Sequence, residues 1–393
     1  MTNGKKDILI ITGRYLPGYK DGGPVRSIKN LTDYLGNEYN FRILTADRDH
    51  RDLVPYPGVK INDWNRVGNA DVFYLSGGKF SFKTIREKAK TADLVYVCGC
   101  FNDYSFITLF AKRIGQIDAP VVVAAMGLFS PLEFRRKYLK KKLYTEMLNK
   151  LGFFSKIFWS ATSEMEINEI MQQVASDRDQ FYIARDLPRK IDANLTIKHK
   201  NQNQLEVVWI SRISPKKNLL GTIDILKKVK QSVHFTILGP EHDSEYWTKC
   251  RARLKELPPH IQWDYLGYID SEEVVQTLKN YHVFLFPTLG ENYGHVILEA
   301  LSAGCPCVIS DQTPWQKLEE NQAGYVLPLH QKDRFAAAID RYAEMTEQEF
   351  QKASAAAYAY AVRVSNQSVQ STGYRTIFNN IPKTQMTEKL ARC

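Results

Sequence analysis

Several things are missing from this sequence, and each absence closes a class of function. No run of about 18 apolar residues occurs, so no membrane-spanning helix is expected. The first apolar run, Ile8–Ile11, is too short for the core of a signal peptide, and no small-residue cleavage site follows it. It reads as a first strand of a protein expected to stay in the cytosol. Cysteine is scarce: Cys98, Cys100, Cys250, Cys305, Cys307 and Cys393 form two C-x-C pairs and no C-x-x-C. Apolar surroundings at Cys98 and Cys305 favour small buried hydrophobes in a reducing compartment over a zinc site. There is no G-x-G-x-x-G, which removes the dinucleotide fingerprint. Low-complexity tracts, an RNA-recognition signature and a helix-turn-helix signature are also lacking.

What is present is an ordinary globular composition, 44% hydrophobic and 24% charged, over 393 residues. That length predicts two domains. The net charge of +10 calls for an anionic partner, and nucleotide phosphates, anionic lipid and nucleic acid all qualify.

Both halves repeat one rhythm of apolar strand, loop and helix. Strands are predicted at Ile8–Thr12, Phe41–Thr45, Asp71–Leu75, Leu94–Val97, Val121–Ala125 and Ile157–Ala161, with helical patterns such as Val25–Leu35 and Tyr104–Ile114 between them. A polar stretch without hydrophobic period, 191–204, reads as a linker. The rhythm restarts at Leu205–Ser211 and continues through His234–Gly239, Gln262–Leu266, Val283–Pro287 and Cys307–Ser310. The expectation is α/β: two Rossmann-like, doubly wound parallel-sheet domains in tandem, facing across a cleft. The first spans 1–190 and the second 205–345. Residues 346–393 are read as a C-terminal helix crossing back to the first domain, with a tail.

The segment Pro287-Thr-Leu-Gly-Glu-Asn-Tyr-Gly-His-Val-Ile-Leu-Glu299 carries the densest chemistry. A strand ends, a loop bears Glu291, and a helix is predicted from about Gly294 to Ala303. Its first amides suit an anion. Glu291 and Glu299 would repel a phosphate unless they grip hydroxyls, which carboxylates accept strongly; the bland alternative is a solvated Glu299. A second loop, after Leu205–Ser211, carries Arg212, Lys216 and Lys217, cations well placed to neutralise a diphosphate rather than merely to face solvent. Paired glycines, Gly22 and Gly23, precede a helix start at Pro24 and let backbone approach a ligand. Arg135, Arg136, Lys137, Lys140, Lys141 and Lys142 crowd into eight residues, with Phe153, Phe154, Phe158 and Trp159 following. Such a segment either faces solvent or lies on an anionic membrane surface.

Together these motifs resemble the retaining family-4 glycosyltransferases (glycosyl transferases group 1), most strongly over Leu205–Val326. That family carries two glutamates separated by seven residues, here Glu291 and Glu299. It carries an Arg and a Lys five positions apart, here Arg212 and Lys217, and the early Gly-Gly, here Gly22 and Gly23. The resemblance implies the GT-B fold and transfer of a sugar, with retention, from a nucleotide-diphosphate sugar to a glycan or lipid-linked acceptor. The implied setting is bacterial surface polysaccharide or glycolipid assembly, in the cytoplasm or peripheral on the inner membrane. It implies that Glu299 binds the donor ribose, that Glu291 holds the transferred sugar and that Arg212 and Lys217 take the diphosphate. Asn292, Tyr293, Gly294 and His295 would line the donor-sugar pocket and Tyr268 would lie near the base. Arg135–Lys142 would face the acceptor or membrane. No cofactor and no divalent metal are implied, and no Asp-x-Asp motif is placed to hold one.

Two positions depart from the pattern. No His lies in Asp93–Asn102, where many members carry one, and Cys98 stands near its place. Ser211 and Asn218 replace glycines flanking the Arg–Lys loop. Other readings are a GT-B-like phosphorylase or sugar-nucleotide epimerase, and a non-catalytic binder of nucleic acid or membrane.

Overall fold

The computed structural model describes residues 4–381, apart from 19, 21, 51, 192, 193, 197, 201–203, 271 and 371. Cys393 and the end of the expected tail lie outside the described residues. The chain divides into two units, Met1–Leu187 with Ser368–Cys393, and Pro188–Gln367.

The first unit holds β1 (Lys6–Ile11), β2 (Tyr39–Ala46), β3 (Trp64–Val67), β4 (Ala70–Leu75), β5 (Leu94–Cys98), β6 (Val121–Ala124), β7 (Phe158–Ala161) and β8 (Phe181–Ile183). They form an eight-stranded sheet in the order β3-β4-β2-β1-β5-β6-β7-β8, parallel except for β3 against β4. The period of two explains its continuous apolar strands. Leu9 and Ile11, Val95 and Val97, Val121 and Val123 join the core on one face. Ile8 and Ile10, Leu94 and Tyr96, Val122 and Ala124 join the core on the other. With both faces covered, each such side chain contributes roughly 1.5–3 kcal/mol of burial. The helix Gly373–Asn380 returns Tyr374, Ile377 and Phe378 to this second core. There Phe378 packs edge-on to Tyr39 at 5.1 Å, and Arg375 forks onto Glu38 at 2.7 and 2.8 Å.

The second unit holds β9 (Leu205–Ile210), β10 (Val233–Leu238), β11 (Ile261–Gly267), β12 (Val283–Phe286), β13 (Cys307–Ser310) and β14 (Gly324–Leu327). Their order is β11-β10-β9-β12-β13-β14, with parallel pairing throughout. Counted within the unit this is 3-2-1-4-5-6, the doubly wound order whose ligand crevice opens beyond the ends of its first and fourth strands. Those strands are β9 and β12.

The stretch expected to be a plain linker is tied into this unit at its described residues. Lys198 is buried and donates to the carbonyls of Leu278, at 3.0 Å, and Tyr281, at 2.5 Å. Lys200, also buried, donates to Ala343 and Met345 at 2.8 and 2.9 Å. Both ammonium groups meet carbonyls at the C-terminal ends of helices, Val274–Leu278 and Lys332–Glu344, where orphan acceptors and the dipole favour a cation. Burial pulls both lysine pKa values down.

Candidate active site

Beyond β9 the chain makes a tight turn, Pro215–Lys217, and then enters the helix Leu219–Leu226. Asn218 joins the two in the left-handed region at φ 57°, its side chain accepting the amide of Gly221 at 3.2 Å and donating to the Pro287 carbonyl at 2.7 Å. Asn is the side chain that tolerates this backbone best after glycine, so the departure at 218 keeps the turn and adds a cap. At the other departure, a Cβ on Gly239 would lie 1.9 Å from the Ser211 carbonyl oxygen. The glycine that lets these two strand ends meet is therefore on β10's side.

The loop beyond β12 runs alongside. Leu289 donates its amide to the Lys216 carbonyl at 2.9 Å, and Glu291 donates its own to the Gln312 carbonyl at 3.0 Å. Thr288, fully buried, stitches the two loops: its hydroxyl lies 3.2 Å from the Lys216 carbonyl and 3.2 Å from Glu291 Oε1, and it accepts the Gly290 amide at 3.3 Å. Lys217 Nζ meets Glu291 Oε1 at 2.5 Å, with 16% and 11% of the two side chains exposed. Two residues 74 positions apart thus become one charge pair at the switch point. Arg212 is half-buried and makes no hydrogen bond or ion pair among the described residues. A guanidinium left without a protein counter-charge there is a ready anion site.

The helix expected from Gly294 runs His295–Ser302, with Gly294 at its cap, φ 78°. A Cβ there would sit 2.9 Å from Ile297 Cδ1, a side-chain end that can shift, so it is the positive φ that calls for glycine. Glu299 is buried at 5% exposure, which removes the solvated-face alternative. Tyr293 is buried under Trp315, whose Nε1 donates to the Tyr293 carbonyl at 2.6 Å, and its ring lies 4.7 Å from that of His295. Asn292 is half-buried beside them. Tyr268 stands exposed beyond the end of β11, two strands from β9.

In the first unit, Gly22 takes φ 64° and caps the helix Gly23–Leu35, with Pro24 in its first turn. A Cβ on Gly23 would meet open space. Cys98 is buried beneath this end of the sheet, and burial pushes its thiol far up, so it is not a group that reacts with solvent or substrate as a thiolate. Cys100, Cys250, Cys305 and Cys307 are likewise buried free thiols. Sequence reasoning missed Arg14, on the loop after β1: its Nε is buried and has no partner among the described residues. It missed Thr288 as well. Neither carries a motif, and only the tertiary contacts reveal them.

The basic segment is shared between two helices: Pro131–Arg135 stops, Lys137 turns left-handed at φ 59°, and Tyr138–Lys150 begins. Lys141 folds inward, donating to the Glu133 carbonyl at 2.7 Å and lying over the Phe101 ring at 5.0 Å. The aromatics expected beside it are core: Phe153, Phe154 and Trp159 are buried, and Phe158 packs on Tyr182. An aromatic preceding or entering a parallel strand has the sheet to cover.

Residues 191–360 match the family described as Glycosyl transferases group 1. That match covers less than half of the chain and lies within the second unit. The Lys217–Glu291 pair, Arg212 and Glu299 all fall within the matched residues. Among curated proteins, the phosphatidyl-myo-inositol mannosyltransferase of Mycobacterium tuberculosis (strain ATCC 25618 / H37Rv) is 29% identical over 139 residues, 34% of this chain and 35% of that protein. Its counterpart in Mycolicibacterium smegmatis is 25% identical over 185 residues, 46% of each. The chain therefore spans only about a third to a half of the length of these relatives. Among solved structures, Anabaena Alr3699/HepE in complex with UDP and glucose superposes with a TM-score of 0.65 at 17% identity, over 93% of this chain and 99% of that one. WaaG, a glycosyltransferase involved in lipopolysaccharide biosynthesis, gives 0.62 at 12%, over 92% and 98%. These likenesses show the fold: the two parallel-sheet units are those of GT-B, as the motifs implied.

Proposed function

We propose that this protein is a retaining glycosyltransferase that moves a sugar from a nucleotide-diphosphate donor to a glycan or lipid-linked acceptor in bacterial surface polysaccharide or glycolipid assembly. The observation that carries the reading is the switch point of the second sheet, where Lys217 and Glu291 pair at 2.5 Å beside an Arg212 that has no partner among the described residues. The group 1 match and the mannosyltransferase relatives support the same class.

In this scheme the diphosphate takes the free guanidinium of Arg212 and shares the ammonium of Lys217, which has three donors and keeps one on Glu291. As the bond from sugar to phosphate breaks, negative charge grows on the leaving oxygen, and these fixed cations stabilise it without reorganising. Glu291, its carboxylate aimed by Thr288 and Lys217, accepts hydroxyls of the transferred sugar. Buried Glu299 takes the ribose hydroxyls, and Asn292, Tyr293, Gly294 and His295 line the sugar. Tyr268 lies near the base, and Gly22 and Gly23 offer backbone to the donor. The acceptor hydroxyl attacks on the face the phosphate leaves, so configuration is retained, and the departing phosphate takes its proton. Because the cations supply the charge, catalysis is expected to proceed without a divalent metal.

A thermal-shift screen against uridine-, guanosine- and thymidine-diphosphate sugars tests the reading. One donor should raise the melting temperature by mass action. Arg212→Ala and Lys217→Ala should abolish that shift and lower turnover on the order of a hundred- to a thousandfold. Chelation with EDTA should leave the wild-type rate unchanged. If no nucleotide sugar is bound, the site assignment fails; if donor turns over without acceptor, the enzyme is an epimerase instead.

A further inference from the structure

The first unit exposes an apolar surface that its own fold leaves uncovered. On the helix Tyr138–Lys150, Leu139, Leu143 and Met147 recur every four residues and are 80%, 70% and 41% exposed. On the helix Asp103–Arg113 and its cap, Phe106, Phe110 and Ile114 do the same at 36%, 39% and 48%. The two helices are held side by side. Phe106 packs against Tyr144 at 6.4 Å and stacks on Phe153 at 5.9 Å, and Arg113 Nε donates to the Leu151 carbonyl at 3.0 Å. A spacing of four keeps each row on one helix face, and that face is normally turned to the core. Here the core-facing side is occupied by other residues, Thr145 and Leu148 on one helix and Tyr104, Ser105, Thr108, Leu109 and Ala111 on the other. The row Leu139, Leu143 and Met147 is surplus to folding, while Phe106 and Phe110 are only partly engaged by their ring contacts.

The rim decides what covers them. Between Arg135 and Lys150 stand seven cations, Arg135, Arg136, Lys137, Lys140, Lys141, Lys142 and Lys150, against one carboxylate, Glu146. Lys141 is turned inward, Lys142 pairs with Glu146 at 3.6 Å and Arg136 lies 3.8 Å from Glu133. Arg135, Lys137, Lys140 and Lys150 remain exposed. A second copy of the chain would bring this cationic rim against itself. Nucleic acid would satisfy the cations and could stack on Phe106 and Phe110, but it leaves Leu139, Leu143, Met147 and Ile114, the more exposed part of the face, without a partner. Aliphatic rows framed by lysine and arginine match the boundary between acyl chains and anionic headgroups.

We infer that this two-helix face inserts into the surface of an anionic lipid bilayer, with Leu139, Leu143, Met147, Phe106, Phe110 and Ile114 entering the acyl boundary and the lysine and arginine rim on the headgroups. It deepens the acceptor reading above, and it replaces the Phe153–Trp159 aromatics with a different set of residues. The stretch is too short and too charged to span, and no described helix is long and apolar enough to do so.

Sedimentation of the full chain with phosphatidylcholine vesicles, with and without about a third phosphatidylglycerol, tests this. Wild type should sediment with the anionic vesicles only, less so at high salt. Leu143→Ser with Met147→Ser should weaken binding by roughly tenfold per side chain. Phe106→Ser with Phe110→Ser should do likewise. Lys137→Gln with Lys140→Gln should weaken it and flatten the salt dependence. Leu143 and the two lysines stand well out in solvent and Met147 makes part of the same outer row, so melting temperatures should hold in those variants; Phe106 and Phe110 also stack on Phe153, so their variant should melt lower and the Leu143→Ser/Met147→Ser pair decides the outcome. The nucleotide-sugar shift should also persist in Leu143→Ser/Met147→Ser, which separates loss of membrane binding from failure of the donor site. Equal sedimentation of wild type and the apolar variants overturns insertion. So does a concentration-dependent dimer, seen by light scattering, that those variants abolish, since a second copy then covers the face. Salt-sensitive RNA binding without vesicle binding overturns it too.

Discussion

At the scale of single residues, the site depends on side chains that carry no chemistry themselves. Thr288 has one hydroxyl, and it is shared among the Lys216 carbonyl, Glu291 Oε1 and the Gly290 amide. Thr288→Val keeps the shape and removes every one of these bonds. With both loops free to shift, kcat should fall by roughly ten- to a hundredfold, while Thr288→Ser restores most of it. A role confined to stability would instead lower the melting temperature and leave kcat alone. Gly294 is a second such position. Gly294→Ala must place a Cβ 2.9 Å from Ile297 Cδ1 at φ 78°, at a cost of about 1–3 kcal/mol. Chemical denaturation should record that loss, and donor affinity should drop with it because the helix His295–Ser302 can no longer start there.

Elements are held by contacts that the strand pattern does not announce. His234 on β10 bridges Glu206 on β9 and Asp264 on β11, 2.8 Å from each. Burial pulls its pKa down, but the two carboxylates outweigh that and leave it raised. A raised folded-state value means the bridge contributes fully below about pH 6.5, the unfolded value, and is lost as pH climbs through the folded one. The ring is partly in solvent, so the contribution is under about 1 kcal/mol. Melting temperature should decline between about pH 6 and 8, and His234→Gln should flatten that slope. The buried lysine is a larger effect. Lys198→Met takes the ammonium from the Leu278 and Tyr281 carbonyls and leaves them the weak Cys305 thiol donor, which costs roughly 1–3 kcal/mol. The second unit should melt several degrees lower, and exchange at 194–200 should rise.

For the molecule as a whole, charge and fold answer different questions. A net charge of +10 is compatible with many anions, but only the placement of the cations separates them. Arg212 and Lys217 sit at a sheet's switch point, while Arg135, Lys137, Lys140 and Lys150 frame an apolar face of the other unit. The first set suits a diphosphate and the second a bilayer surface. The last helix, Gly373–Asn380, belongs by its contacts to the unit at the opposite end of the chain.

The parallel sheets were legible in the sequence because strands buried on both faces must be apolar throughout, and Ile8–Ile11, Val121–Val123 and Val283–Phe286 are. The short edge strands β3, β8 and β14 were not, since an edge strand is half-covered and reads like a loop. The Glu291 loop and the Arg212–Lys217 loop stood out by residue type and spacing, because each is a short motif local in the chain. Their meeting was not: 74 residues separate Lys217 from Glu291, and it takes the 3-2-1-4 strand order to bring them to 2.5 Å. The aromatic run Phe153–Trp159 shows the converse. Composition alone cannot say which side of a helix or strand the core will claim, so the same residue types read as membrane anchors in the sequence and are interior in the fold, while the true apolar surface lies on faces that only packing leaves bare.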